Sequence, residues 1–156
     1  MFRIIAGLLV GVLSFPSSGA RTDFSVNLST AVCNANVPSE YFLGTLQDGT
    51  KEDFSPFNVT VVCGDYGTKG RVLATTPNNP LTTGGDTALV NGTSEFWLLN
   101  ESGNKIDLTG RESGAPFCTF NGDITQQCKV RPAVKINPAD PRGVFRINVS
   151  FSVMYL

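Results

Sequence analysis

The chain of 156 residues contains no histidine. That absence excludes Ser-His-Asp and Cys-His catalysis, histidine-ligated metals and a histidine pH switch. Charge is scarce as well: charged residues make up 16% of the chain, against roughly 25% in ordinary soluble domains. Twelve Lys and Arg face 13 Asp and Glu, for a net charge of −1. No basic footprint exists for nucleic acid. None of the 4 cysteines stands in a C-x-x-C pair, which removes zinc ribbons and thioredoxin-like redox sites. No metal, other cofactor or enzymatic activity is expected. Apolar runs are short, the longest being Ile4 to Leu13, about half of the ~20 residues that a spanning helix needs. A sustained 3.6-residue period is missing too. What remains is 11 Phe, 16 Gly and 9 Pro, the makings of an apolar core between many turns. The fold class expected is all-β.

The N-terminus reads as an export signal. Arg3 supplies the positive start, Ile4 to Leu13 the apolar stretch, and Ser18-Gly19-Ala20 a small-residue cleavage site. Residues 1–20 are therefore a signal peptide, and residues 21–156 a single exported domain. In an oxidising compartment an even set of cysteines forms disulfides. Cys33, Cys63, Cys118 and Cys128 allow three connectivities. Cys33–Cys63 with Cys118–Cys128 is favoured, because the second pair closes a short loop around a glycine-containing turn.

Strand signals dominate the mature chain. Phe24, Val26 and Leu28 alternate with polar residues, as do Phe57, Val59, Val61 and Cys63. Tyr41 to Leu46 is a short apolar piece before an Asp48-Gly49 turn. Arg71 to Thr75 and Thr87 to Val90 are further candidates, the latter ending at Asn91-Gly92. Ser94 to Leu99 and Lys105 to Leu108 form a hairpin candidate around Asn100 to Asn104. Thr119 to Thr125 and Lys129 to Ile136 follow, with Pro132 arguing for an edge position. The last strand is the most regular: Phe145, Ile147, Val149, Phe151, Val153 and Tyr155 are successive apolar positions at period 2. Short strands at even spacing suggest a sandwich.

A long apolar-alternating strand ending at the last residue is awkward for a self-sufficient monomer, since natural edges are blunted by charge, proline or bulges. Gly143 is fourteenth from the C-terminus, Tyr155 is penultimate, and apolar residues alternate between them. This resembles the C-terminal signature of pilus subunits assembled by the chaperone–usher pathway, of the type 1 and P pilus kind. Other features are similar over the mature chain. Cys33 follows the alternating N-terminal segment, and Cys63 closes an early strand. Phe96-Trp97-Leu98-Leu99-Asn100 is followed by a turn and the short return Lys105-Ile106-Asp107-Leu108.

The resemblance implies an incomplete immunoglobulin-like β-sandwich lacking its final strand, completed by a donor strand. Gly143, Phe145, Ile147, Val149, Phe151, Val153, Tyr155 and Leu156 would then form the chaperone-contact and donor-strand groove. The implied partners are a periplasmic chaperone gripping the carboxylate of Leu156, an outer-membrane usher and neighbouring subunits. The implied location is the cell-surface fimbrium, reached through the periplasm, with a role in cell adhesion as a minor subunit. Phe24, Val26 and Leu28, within residues 21–32, are the candidate donor side chains. That segment contains no glycine, where donor strands of the family carry one. It therefore reads also as the first strand of the domain, which suits a fibre-end subunit or a single-domain tip adhesin that binds a glycan or host receptor.

Other features have plain readings. Sequons occur at Asn27, Asn58, Asn91, Asn100 and Asn148, three of them on the polar faces of alternating strands. Trp97 is expected as a core residue of the hairpin. Asp48, Glu52 and Asp53 are expected to form a solvated turn.

Overall fold

The computed structural model describes residues 33–64, 67–112 and 116–156. The expected signal peptide and the candidate donor residues Phe24, Val26 and Leu28 lie outside the described residues. Within them the chain forms β1 (Cys33–Asn36), β2 (Gly49–Lys51), β3 (Phe57–Cys63), β4 (Lys69–Thr75), β5 (Ala88–Val90), β6 (Ser94–Leu99), β7 (Cys118–Asn121), β8 (Thr125–Ile136) and β9 (Ser150–Tyr155). One sheet runs β1-β3-β8-β6-β5 with β2 also on β8, and a second runs β7-β4-β9. The alternation seen in the sequence is what builds these layers. Phe57, Val59, Val61 and Cys63 of β3 point inward while Asn58 and Val62 point out. They meet Val72 and Ala74 of β4, Phe120 of β7 and Phe151 of β9 across the core.

Two disulfides fasten this arrangement. Cys33 is bonded to Cys63 and joins β1 to β3 in register. Cys118 is bonded to Cys128 and ties β7 of one sheet to β8 of the other. The turn between β7 and β8 passes through Gly122 at φ 95°, a conformation open to glycine at little cost.

Two sequence expectations change, and a third, the burial of Trp97, holds on an unforeseen face. Pro132 does not mark an edge strand: β8 pairs with β3 and β2 along one edge and with β6 along the other. The ladder tolerates it for a local reason. Leu98, opposite Pro132, accepts a bond from Ile106 N–H on its far side, so the Leu98–Pro132 pair exchanges no bonds. The proline nitrogen therefore faces the other edge, where β3 ends at Val130 and β2 begins at Val134. Trp97 is buried, but on the face of β6 opposite the main core, with Leu99 and Ala133. Lys105 Nζ lies 4.5 Å from its ring centroid. Finally, the long C-terminal strand forms only from Ser150 onward, and residues 144–149 lie in no strand among the described residues.

Candidate functional site: an open groove

Residues 144–149 alternate like a strand without being one. Phe145 is half-buried and Ile147 and Val149 are buried, while Val144 and Arg146 are exposed. Facing them is the stretch from Tyr41 to Leu46, with Tyr41, Leu43 and Leu46 half-buried. Tyr41 and Leu43 share one apolar cleft with Phe145, Ile147 and Val149, floored by Phe57, Phe96, Leu98 and Pro132. The two stretches are the lips of a groove. Tyr41 is held by its hydroxyl, which donates to the Ser55 carbonyl at 2.6 Å, and its ring packs 5.7 Å from Phe57. Burial raises the pKa of its hydroxyl.

The groove is closed at one end. Cys33 N–H donates to the Tyr155 hydroxyl at 3.0 Å, and that hydroxyl donates to the Cys33 carbonyl at 3.2 Å. Strand register explains why those backbone groups are available. Cys63 N–H bonds to Ile124 on its far side, so the Cys33–Cys63 pair exchanges no bonds and Cys33 turns its polar groups toward β9. Cys33 bonds to Tyr155, and Leu43 and Phe145 line the same cleft, so the lips run antiparallel. Val153 and Tyr155 pack against the core from this closed end.

At the other end the lips part around a cavity of about 350 Å³ bordered by Tyr41 to Leu46 and by Pro141 to Phe145. Gly143 stands there with nothing within 4 Å of where a Cβ would be. Two polar devices hold this mouth. The Asp140 carboxylate accepts from Thr93 N–H at 2.9 Å, Thr93 hydroxyl at 2.9 Å, Ser94 N–H at 2.6 Å and Ser94 hydroxyl at 2.6 Å. Asn137 adds bonds to the same two hydroxyls, and the Asn91 amide bonds to the Pro141 carbonyl. Gly92, at φ 112°, leaves room for this: a Cβ there would sit 2.8 Å from Asp140 Oδ1. Arg142 forms a two-pronged pair with Asp48 at 2.7 and 2.9 Å, across the lips. The Ser94 hydroxyl, chiefly, holds the Asp140 carboxyl below the usual carboxylate range, and the Arg142 hydrogen bond does the same for Asp48.

Of the expected groove residues, Phe145, Ile147 and Val149 line the cleft with Gly143 at its mouth, while Phe151, Val153 and Tyr155 pack on the core from β9 and Leu156 is exposed. The opposite lip, Tyr41 and Leu43, was not singled out from the sequence, although its short apolar run was visible. The Asp140 clasp had no sequence signal beyond the Asn91-Gly92 turn. The acidic group does not gather: Asp48 pairs with Arg142 and Asp53 with Lys51 at 3.7 Å, and no group of metal-ligating side chains occurs among the described residues.

No family model and no curated protein matches the chain. Solved structures do. The crystal structure of the P pilus rod subunit PapA superposes with a TM-score of 0.60 at 15% identity, over 81% of this chain and 100% of that one. The fold is the pilin fold. A chain from the structure of a chaperone–usher pilus that reveals the molecular basis of rod uncoiling matches with a TM-score of 0.57 at 17% identity, over 93% of this chain and 100% of that one. On this pilin fold the described residues form an all-β sandwich whose two lips are not bridged by a strand along the groove.

Proposed function

We propose that the protein is a structural subunit of an adhesive pilus. It is exported to the periplasm, held there by a chaperone that lends a strand to the groove, and passed at the outer-membrane usher to a neighbouring subunit. The observation that carries this reading is the stretch 144–149, alternating and partly buried yet outside any strand, beside an open cleft lined by Phe145, Ile147 and Val149. A strand laid between the lips pairs its main chain along the edge and sets alternate side chains into the cleft, the mode of donor-strand complementation. Three or four inserted apolar side chains at about 1.5–3 kcal/mol each contribute a large part of the ~5–15 kcal/mol that stabilises a single domain. An unfilled subunit is accordingly expected to be unstable and in need of a chaperone.

The test is purification from the periplasm of cells carrying a chaperone–usher system. The wild-type chain is expected to emerge with a stoichiometric chaperone. Tyr155→Ala, or deletion of Met154 to Leu156, is expected to abolish capture and leave the chain to degradation. Normal periplasmic levels of both variants would overturn the assignment.

A further inference from the structure

The sequence holds 2 methionines, Met1 and Met154, and Met1 belongs to the expected signal peptide. All four cysteines are paired in disulfides, so no free thiol competes for an oxidant. The Met154 thioether is therefore the most readily oxidised sulfur of the mature chain.

Its surroundings follow from strand register. Val153 and Tyr155 pack on the core, so the alternation of β9 sends Met154 to the outer face of the sheet. Met154 is half-buried there. Arg71 of β4 lies directly opposite it. The next residue, Val72, is buried in the core, so Arg71 shares the outer face, and its Nε–H donates to Met154 Sδ at 3.4 Å. The two are unequal partners. A thioether is a weak acceptor, whereas a guanidinium is a strong, planar donor suited to oxygen.

We propose that Met154 is an oxidation site for hydroperoxides and that Arg71 is the donor that holds the resulting sulfoxide. The sulfur attacks the outer oxygen of the hydroperoxide, and an S–O bond forms as the O–O bond breaks. Sulfur gives up two electrons, and the peroxide leaves as water from hydrogen peroxide or as an alcohol from an organic hydroperoxide. The new oxygen is a better acceptor than the sulfur, and it forms beside an N–H already aimed at that atom. A charge-assisted bond of ordinary length, about 2.7–3.2 Å, is then within reach. A sulfoxide disrupts packing where its polar oxygen finds no partner. On β9 the partner is already in place, and Val153 and Tyr155 keep the inner face unchanged. The strand thus absorbs an oxidant on its outer side without loosening its hold on the core. The inference stands on the β4–β9 register and does not depend on the donor-strand reading.

The experiment treats the mature chain, its disulfides intact and a donor strand in its groove, with hydrogen peroxide. Wild type and Arg71→Leu are compared. Mapping of the C-terminal tryptic peptide, Ile147 to Leu156, is expected to find the mass of one oxygen on Met154 in the folded chain. In wild type the folding equilibrium constant from urea denaturation is expected to stay within about twofold on oxidation. In Arg71→Leu it is expected to fall about tenfold, because the sulfoxide oxygen then lacks its donor. The Arg71 Nε–H proton resonance of wild type is expected to move downfield on oxidation, a readout that needs no variant to fold. Met154 left unoxidised in the folded chain, under peroxide that oxidises it fully in urea, overturns the site. Equal losses of stability in both proteins, or an unmoved Arg71 resonance, overturn the role of Arg71.

Discussion

Replacing Tyr155 by Phe isolates the closure of the groove from the burial of its ring. The hydroxyl bridges both polar groups of Cys33, a residue only 1% exposed. Register turns those groups away from β3, so the variant strands a backbone N–H and a carbonyl in the interior. Orphaning a buried donor costs about 1–3 kcal/mol, and the carbonyl retains other ways to satisfy a lone pair, so a loss of about 2 kcal/mol is expected. For a domain of this size that corresponds to roughly 6–8 °C in Tm. The assay is urea denaturation of the oxidised mature chain with a donor strand filling its groove, with the slope checked so that only a midpoint shift is read as stability. Tyr155→Ala should cost more, because it also uncovers the ring. A Tyr155→Phe midpoint equivalent to wild type within about 0.3 kcal/mol would refute the reasoning, since the two hydrogen bonds would then contribute nothing.

Gly70→Ala should destabilise by about 1–3 kcal/mol, because a Cβ there overlaps the Phe120 ring and the Met154 carbonyl oxygen between β4 and β9; an unchanged denaturation midpoint would sink that close approach. Gly143→Leu should leave the fold intact, since a Cβ meets only open space, yet fill the mouth and weaken binding of the Arg21 to Val32 peptide at least tenfold; undiminished binding would show that the strand does not use this cavity. Acid should unlatch the mouth. Asp140 and Asp48 have folded pKa values lowered below the unfolded 3.8, so their stabilisation is present above about pH 4 and is lost as pH falls through the lowered folded values. Urea midpoints of wild type and Asp140→Asn measured from pH 5 down to 2 should converge at the acid end, and parallel curves would exclude the clasp as a titrating element. Reducing both disulfides should remove roughly 3.6 kcal/mol for the Cys33–Cys63 loop and 2.7 kcal/mol for Cys118–Cys128 on the chain-entropy account; unfolding with and without reductant measures their sum.

Much of the fold was legible because it is written locally. The period-2 rows at Phe57 to Cys63 and Phe145 to Tyr155 announce which side chains face inward whatever the partner strand is, since alternation is a property of one pleated chain. Other elements misled for the same reason. Pro132 carries a local penalty that says edge, but the penalty vanishes where β2 and β3 leave a gap beside it. Phe145 to Val149 has strand periodicity, yet a strand needs a neighbour, and none of the strands among the described residues pairs with that stretch.

The sequence by itself determined the all-β class, the alternating C-terminal wall and the absence of histidine chemistry, all consequences of composition and short-range pattern. Tertiary structure alone decided which stretch forms the second lip, which end is closed and what holds the mouth. Tyr155 reaches Cys33 across 122 positions, Arg142 reaches Asp48 across 94 and Asp140 reaches Ser94 across 46. Contacts at such separations follow from strand order and register, and no window of sequence short enough to show a period contains both partners.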